Sequence, residues 1–401
     1  MEVRTGSEIV FSNVRPYLVG HFATEPHFVA IKAGKIVEIS REFPKMVSAT
    51  AIVIEGNGQY LTPGFWDLQL NGLEGIDLLS ATSHGVEVFL RHCLEYGVTV
   101  VFPTVITDSP ERMAATIEAI SQARDGEYQA RIGGIHIEGP MISSGHGKGC
   151  HPAAHIRQLS WEEYRHWQEI SGGKIAIITL APEAEGALDL IPRLVGDGIV
   201  VGIGHTDASK EIITEAIRQG AKLATHLWNA CKKELERNLE HVGAMLMSDR
   251  LYASFIADGH HIHPDTLAIS FRVKPLDKII LVTDAMAGAG APDGQYRLGD
   301  LEVSVIDGVA RDPNNLAQLA GSTLTLVQAI VRAIKFGQIP LDRAIRMVTN
   351  NPATLLGRAE EAQIKEGAPA DLVLFSYQDE KLEIRKVMRN GQLSFLRQLT
   401  R

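Results

Sequence analysis

Cysteine is scarce in this chain. Cys93, Cys150 and Cys231 are the three in 401 residues, and no two form a C-x-x-C pair. That speaks against a disulfide framework and suits a reducing compartment. Long apolar runs are missing as well: no stretch of 18 apolar residues occurs, so no membrane-spanning helix is expected. The first twenty residues, MEVRTGSEIVFSNVRPYLVG, lack the apolar core of a signal peptide. Positive charge is in deficit, with 39 Lys and Arg against 48 Asp and Glu and a formal net charge of −9. Such a balance provides no electrostatic reason to bind nucleic acid or an anionic membrane. Low-complexity segments and simple repeats are absent too. A soluble, cytoplasmic protein that binds neither nucleic acid nor membrane is the expectation. What is present is ordinary globular composition, 45% hydrophobic and 22% charged, in a chain long enough for one large domain and a smaller one.

A repeated architecture replaces sequence repetition. Short apolar runs, each closed by polar, Gly or Pro residues, recur with helix-length spacers between them. They are LTPGFWDLQLNG from Leu61, VTVVFPTVIT from Val98, RIGGIHIEGP from Arg131 and KIAIITLAPE from Lys174. The series continues with GIVVGIGHTDA from Gly198, AKLATHLWNA from Ala221, LYASFIADGHH from Leu251 and KIILVTDAM from Lys278. Continuous Val/Ile/Leu runs read as strands covered on both faces, as in parallel sheets. Spacers such as SHGVEVFLRHCLEYG, and KEIITEAIRQG with Gly220 as its stop, read as helices. Eight alternations predict an α/β fold of the (β/α)8 TIM-barrel type over residues 61–361. The long polar loop at 141–158, rich in Gly and His, is expected to be functional. The flanks differ: residues 1–60 and 362–401 carry short strand patterns separated by turn residues. They predict a small β-sandwich-like domain assembled from both chain termini.

The active site of such a barrel lies at the C-terminal ends of its strands, so those residues belong together. The third run ends in Glu138, the fifth in His205, the sixth in His226 and the eighth in Asp284. The seventh is followed by His260, His261 and His263, and the first carries Asp67-Leu68-Gln69-Leu70-Asn71. A single His after an apolar strand is more often a hydrogen-bonded core or loop residue than a ligand. Four such groups on one face of one barrel are not independent accidents. Two neutral imidazoles and a carboxylate suit a borderline divalent cation such as zinc, with a position left open for water. Water held there becomes a usable nucleophile near neutral pH, and Asp284 fits the role of taking its proton and passing it to a leaving group. The cation also explains a bare carboxylate at the end of a buried strand, because the charge of Glu138 is compensated there. His136, two residues before Glu138 and one layer deeper, reads as structural. His260 reads at least as well as a loop residue, while His261 leans towards function. Cys231 reads as a packed thiol, and His155 and His166 as surface or helix residues.

Several segments carry a resemblance, in order from about residue 50 to the C-terminus. They are Pro63-Gly64-Phe65 through Asn71-Gly72, Glu138-Gly139-Pro140, Lys148-Gly149-Cys150-His151 and Gly204-His205-Thr206-Asp207-Ala208. Thr225-His226-Leu227-Trp228-Asn229-Ala230, Asp258-Gly259-His260-His261, Thr283-Asp284-Ala285, Leu319-Ala320-Gly321-Ser322 and the closing GAPADLVLF complete the set. This series resembles the amidohydrolase superfamily, and within it the family of N-acetylglucosamine-6-phosphate deacetylases. The resemblance implies hydrolysis of the acetamide of that sugar phosphate. Glu138, His205 and His226 would hold one divalent metal ion per subunit, zinc first, with iron, cobalt or manganese as options. Asp284 would be the general acid/base and His151 would polarise the acetamide carbonyl. Asn229, Ala230 through its backbone, His261 and Arg237 would bind the sugar phosphate, with Arg237 reaching across a homodimer.

Many superfamily members carry H-x-H at the end of the first strand, which builds a second metal site. Here those positions are Gln69 and Asn71. An amide is a poor zinc ligand, so a single metal is expected, with Gln69 counted among the substrate-side residues as the holder of a water. One segment departs from the family pattern. After Asn229-Ala230 the chain reads CKKELERNLE rather than Met-Pro, and Arg237 is not followed by Glu-Pro-Gly. That departure keeps a second reading open, a deacetylase of N-acetylgalactosamine-6-phosphate or of another N-acyl substrate. A third reading, a non-catalytic barrel used as a scaffold, fits poorly because the proposed ligands and Asp284 are all present.

Overall fold

The computed structural model describes residues 8–231 and 239–396. The eight apolar runs form the eight strands of a parallel barrel: Phe65–Leu70 (β1), Val98–Ile106 (β2), Ile135–Glu138 (β3) and Ile175–Leu180 (β4), followed by Val200–Ile203 (β5), Leu223–Ala224 (β6), Tyr252–Phe255 (β7) and Ile279–Leu281 (β8). Each strand pairs in parallel with the next, β1 beside β2 and so on to β8. The ring is closed by a parallel bridge between Leu70 and Ala285 and by the Asn71 N–H donating to the Ala285 carbonyl at 2.8 Å. β1, β2 and β3 are buried throughout, as expected of strands covered on both faces.

The spacers are helices with readable starts. Thr82, Ser109, Ser160 and Ser209 each accept a backbone N–H through the side-chain oxygen at the first turn of a helix. Thr325 and Gln328 form a reciprocal capping box at the start of Leu326–Gly337. Their apolar stripes pack on the barrel wall in one continuous core that includes Trp66, Phe89, Phe102, Trp167 and Phe255.

Both ends of the chain meet in an antiparallel-rich β-domain beside the barrel. Strand Tyr60–Pro63 is the seam: it lies parallel to Ile9–Leu18 (Arg15 opposite Tyr60) and antiparallel to Leu372–Gln378 (Thr62 opposite Val373). Ile9–Leu18 also pairs with His27–Lys32 and Ile52–Glu55, enclosing a separate small core around Phe11, Ile31, Leu61 and Leu374. At the junction with the barrel the packing leaves no space at Gly64, where an added Cβ would sit 1.8 Å from Thr99 Oγ1.

One element has no counterpart in the sequence reading. Between β8 and the helix Leu326–Gly337, four antiparallel strands span Gly294–Leu298, Leu301–Ile306, Val309–Asp312 and Asn315–Leu319. They pack on the barrel mouth through a third small core that includes Leu79, Ile106, Met286 and Leu298. Among the described residues, no helix is long and apolar enough to cross a membrane.

Candidate active site

Three of the expected site residues leave their strands in the left-handed region, His205 at φ 52°, His226 at φ 32° and Asp284 at φ 48°. Non-glycine residues held there cost about 1–3 kcal/mol each and persist only where the surroundings over-determine them. The surroundings do so here. The Asp284 N–H donates to the Gln69 carbonyl and its own carbonyl accepts from Ser322, both at 2.9 Å. The His226 N–H is held by Ser254 Oγ at 2.8 Å.

These turns bring Glu138, His205 and His226 together although 21 to 88 residues separate them. Glu138 Oε1 lies 3.1 Å from His205 Nε2 and 2.8 Å from His226 Nε2, and the two Nε2 atoms are 3.1 Å apart. A tetrahedral zinc with ligand bonds of about 2.0–2.1 Å holds its ligand atoms about 3.3 Å from one another, close to the size of this triangle. The tautomer fits as well. His205 Nδ1 sits 2.9 Å from the Gly147 carbonyl, which can only accept, so Nδ1 carries the proton and Nε2 turns its lone pair into the cluster. All three side chains are buried, and His226 Nδ1, Gln69 Oε1 and Asn71 Oδ1 are buried without a hydrogen-bond partner. The donor set and its spacing fit a divalent cation. His151 adds an overlapping cluster: its ligand atom, with those of Glu138 and His205, falls within a 4.8 Å group. Its Nε2 is 3.9 Å from Glu138 Oε2, the carboxylate oxygen turned away from the tighter triangle.

Asp284 sits beside the triangle. Its Oδ1 accepts from Asn71 Nδ2 at 2.8 Å and from Gln69 Nε2 at 3.2 Å. Burial, helped by the Glu138 charge, pushes its pKa up to about 6. His151 is pushed the other way, down to about 3, by burial and by the neighbouring His205, so it is neutral at physiological pH. Cys150 is pushed up to about 12 by burial and behaves as a small apolar side chain.

The mouth is a cleft of about 480 Å³. On one side stand Trp228, Asn229, Ala230 and Cys231 from the loop after β6, with His260 and His261 after β7. The rest of the lining includes Ile106, Cys150, His151 and residues of the inserted sheet. The long loop expected to be functional reaches this mouth through Gly145, His146, Gly149, Cys150 and His151. It is tied down by Asp207, whose Oδ2 accepts from Ser143 Oγ at 2.6 Å and the Gly147 N–H at 2.9 Å.

The other expected residues fall as follows. Gln69 is fully buried beneath the cleft and bridges the two carboxylates, donating to Glu138 Oε1 at 2.9 Å as well as to Asp284. His136 lies in the interior layer below, between the Leu68 carbonyl and Thr179 Oγ1. His155 is half-buried in a short turn, and His166 is exposed on the helix Trp161–Ile170. Arg237, with Lys232 and Lys233, lies outside the described residues. Among the described residues that line the cleft there is no lysine or arginine.

Two contributors escape the sequence reading. Asp258 accepts the N–H groups of His260 and His261 at 2.8 Å each, and its Oδ2 takes His261 Nδ1 at 2.6 Å, fixing that ring. Its place just after the β7 run is the available signal. Asn71 reads in the sequence only as a missing metal ligand, yet it holds the carboxylate of Asp284.

A barrel with a His, His, Glu cluster and a perturbed carboxylate at its C-terminal mouth defines a class, and the sequence places the chain in it: the Amidohydrolase family profile matches residues 60–394, and the chain belongs to that family. The N-acetylglucosamine-6-phosphate deacetylase of Lysinibacillus sphaericus is 33% identical over 367 residues, which span 91% of this chain and 92% of that protein. The N-acetylgalactosamine-6-phosphate deacetylase of Shewanella sp. (strain ANA-3) is 33% identical over 336 residues, 84% of this chain and 83% of that protein. Among solved structures, a point mutant of N-acetyl-D-glucosamine-6-phosphate deacetylase from Mycobacterium smegmatis, in complex with N-acetyl-D-glucosamine-6-phosphate, superposes with a TM-score of 0.87. It is 30% identical, and the match covers 97% of this chain and all of that one.

Proposed function

We infer that the protein hydrolyses the acetamide of N-acetylglucosamine-6-phosphate to glucosamine-6-phosphate and acetate. The observation that carries this reading is the Glu138, His205, His226 triangle with Asp284 beside it in an open cleft. A single divalent cation held by those three residues, zinc first with iron, cobalt or manganese as alternatives, supplies Lewis-acid activation of water and carbonyl.

The chain's own groups do the rest. Both hydrogen bonds to Asp284 go to Oδ1, which leaves Oδ2 to take a proton from the attacking water. With a pKa near 6 this carboxyl is ionised at neutral pH, yet it remains basic enough to exchange protons. The same proton is delivered to the amide nitrogen as the C–N bond breaks, so water and amide become acetate and amine. His151, neutral and buried, donates an N–H to the carbonyl oxygen as negative charge develops there. Gln69 and Asn71 hold the two carboxylates in register.

Asn229, the Ala230 backbone and His261 face the sugar phosphate in this reading. The cationic contact comes from Arg237, across a homodimer. Exposed apolar side chains on neighbouring helices, Met247 on Glu240–Met247 with Ile269 and Val273 on Pro264–Val273, support that assembly. The setting proposed is the cytoplasm. N-acetylgalactosamine-6-phosphate is the second reading, because the Shewanella relative is as identical to this chain as the Lysinibacillus one.

Acetate release from both phosphorylated sugars and from unphosphorylated N-acetylglucosamine, by metal-loaded protein, tests this. Strong preference for N-acetylglucosamine-6-phosphate is expected. Equal rates with and without the phosphate would overturn the assignment of a sugar phosphate.

A further inference from the structure

One apolar cluster stands out in the lining of the cleft. The wall after β6 and β7 carries the polar Asn229, His260 and His261 together with Trp228, Ala230 and Cys231. Ile106, at the end of β2, lines the cleft with Cys150 and Leu298, beside Asn315 and Gln318 of the inserted sheet, and the loop carrying Cys150 reaches across to Ala230 at Gly149. In the eight-strand ring β2 and β3 stand opposite β6 and β7. Ile106 ends β2 directly beside Glu138 in the β2–β3 ladder. Leu298 closes the first inserted strand and packs with Ile106, Met286 and Val303 in one cluster, against which Cys150 also rests. Ile106 is 6% exposed and Leu298 4%, so each shows the cleft little more than one face.

A secondary amide is trans, which sends its two substituents to opposite ends of the planar group. With the sugar on the β6–β7 side and the carbonyl between Glu138 and His151, the acyl carbon chain points at the opposite wall. We propose that Ile106, Cys150 and Leu298 form the acyl subsite, and that the inserted sheet limits the enzyme to short apolar acyl groups. This rests on the deacetylase reading above. The subsite has little freedom to widen: Gln318 Nε2 ties the sheet to the Gly149 carbonyl at 3.2 Å, one residue from Cys150. A hydroxyl on the acyl group would be buried there against carbon and a protonated thiol, without a strong partner.

The test is kcat/KM for N-formyl, N-acetyl, N-propionyl, N-butyryl and N-glycolyl glucosamine-6-phosphate, with the wild type, Leu298→Ala and Leu298→Phe. One methylene too many in a closed apolar pocket changes the rate by about 10- to 200-fold, so acetyl should exceed propionyl by that order. Leu298→Ala should raise the propionyl-to-acetyl ratio by about tenfold or more, and Leu298→Phe should shift the preference towards formyl. The two changes act in opposite directions, so either one suffices if the other variant fails to fold. An acyl ranking unchanged in the folded variants, or a wild type that prefers butyryl, overturns the subsite while leaving the deacetylase standing. Release of no acyl group from any member by the wild type overturns the deacetylase reading, and this assignment with it.

Discussion

Replacing Asp67 by Asn should make the protein's stability markedly less sensitive to alkaline pH. Asp67 is fully buried in β1, two residues before Gln69. Thr283 Oγ1 donates to its Oδ2 at 2.7 Å, and the N–H groups of Gln69 and Thr283 reach Oδ1 at 3.2 and 3.3 Å. Those bonds favour the carboxylate, but burial outweighs them and, with the charge of Asp284, pushes its pKa up to about 7. An unfolded Asp titrates near 3.9, so the native state binds this proton more tightly. The associated stability is complete below about pH 4 and is lost as pH rises through 7. Proton linkage puts the loss at about 1.5 kcal/mol by pH 5 and about 4 kcal/mol by pH 8, a difference of about 2.5 kcal/mol. The Asn side chain is isosteric and can keep the contacts, since the Thr283 hydroxyl can rotate to donate to the Gln69 carbonyl, 3.2 Å away, and accept from the amide. With an unfolding entropy of about 2.1 cal/mol/K per residue, that free energy corresponds to about 3 °C in a chain of this length. Thermal melts of both proteins, equally metal-loaded, at pH 5 and pH 8 should show the variant's advantage widening by about that amount. A gap that stays constant or narrows would mean that Asp67 is already ionised at pH 5, and the reasoning from burial would fail.

Asp284→Asn should retain bound metal but lose about 10²–10⁴-fold in turnover, the usual worth of a positioned acid/base; near-normal acetate release would remove Asp284 from the mechanism. His226→Ala takes away one corner of the triangle around Glu138 Oε1. Its metal content by elemental analysis should fall well below one per chain, and full occupancy would show that the cation sits elsewhere. Chelation of the wild type should abolish activity and lower its melting temperature, with both restored by added zinc; activity that survives exhaustive chelation would refute the metal role. Gly64→Ala drives a methyl against Thr99 at the junction of the two domains. It should destabilise by about 1–3 kcal/mol, and an unchanged melting temperature would show that the junction relaxes freely.

Much of the barrel is legible in the sequence because its strands are buried on both faces. Each therefore reads as an unbroken apolar run, and the polar residue that ends it falls at the mouth. Glu138, His205, His226 and Asp284 are visible for that reason. The inserted sheet escapes although its signal is present: GQYRLGDLEVSVIDGVARD alternates apolar and polar residues and turns at Gly-Asp and Asp-Gly. A half-exposed antiparallel sheet alternates in this way and lacks the continuous apolar runs that mark the barrel strands. Gln69 is expected from sequence on the substrate side, with a water. The structure puts it beneath the cleft, its amide shared between Glu138 and Asp284. Asp258 goes unassigned in the sequence because its role depends on where the His261 ring turns.

The sequence by itself determined the alternation of strand and helix, the ring that alternation closes, and the four titratable groups at its rim, since periodicity and strand ends are local properties of the chain. Only the tertiary structure decided which atoms face one another. Gln69 and Asp284 are 215 residues apart, and it is closure between β1 and β8 that places them 3.2 Å from each other. The cluster of Ile106 and Leu298 likewise exists only because a sheet inserted after β8 folds back over the end of β2. Such contacts are set by the geometry of closure and by packing, which no window of neighbouring residues contains.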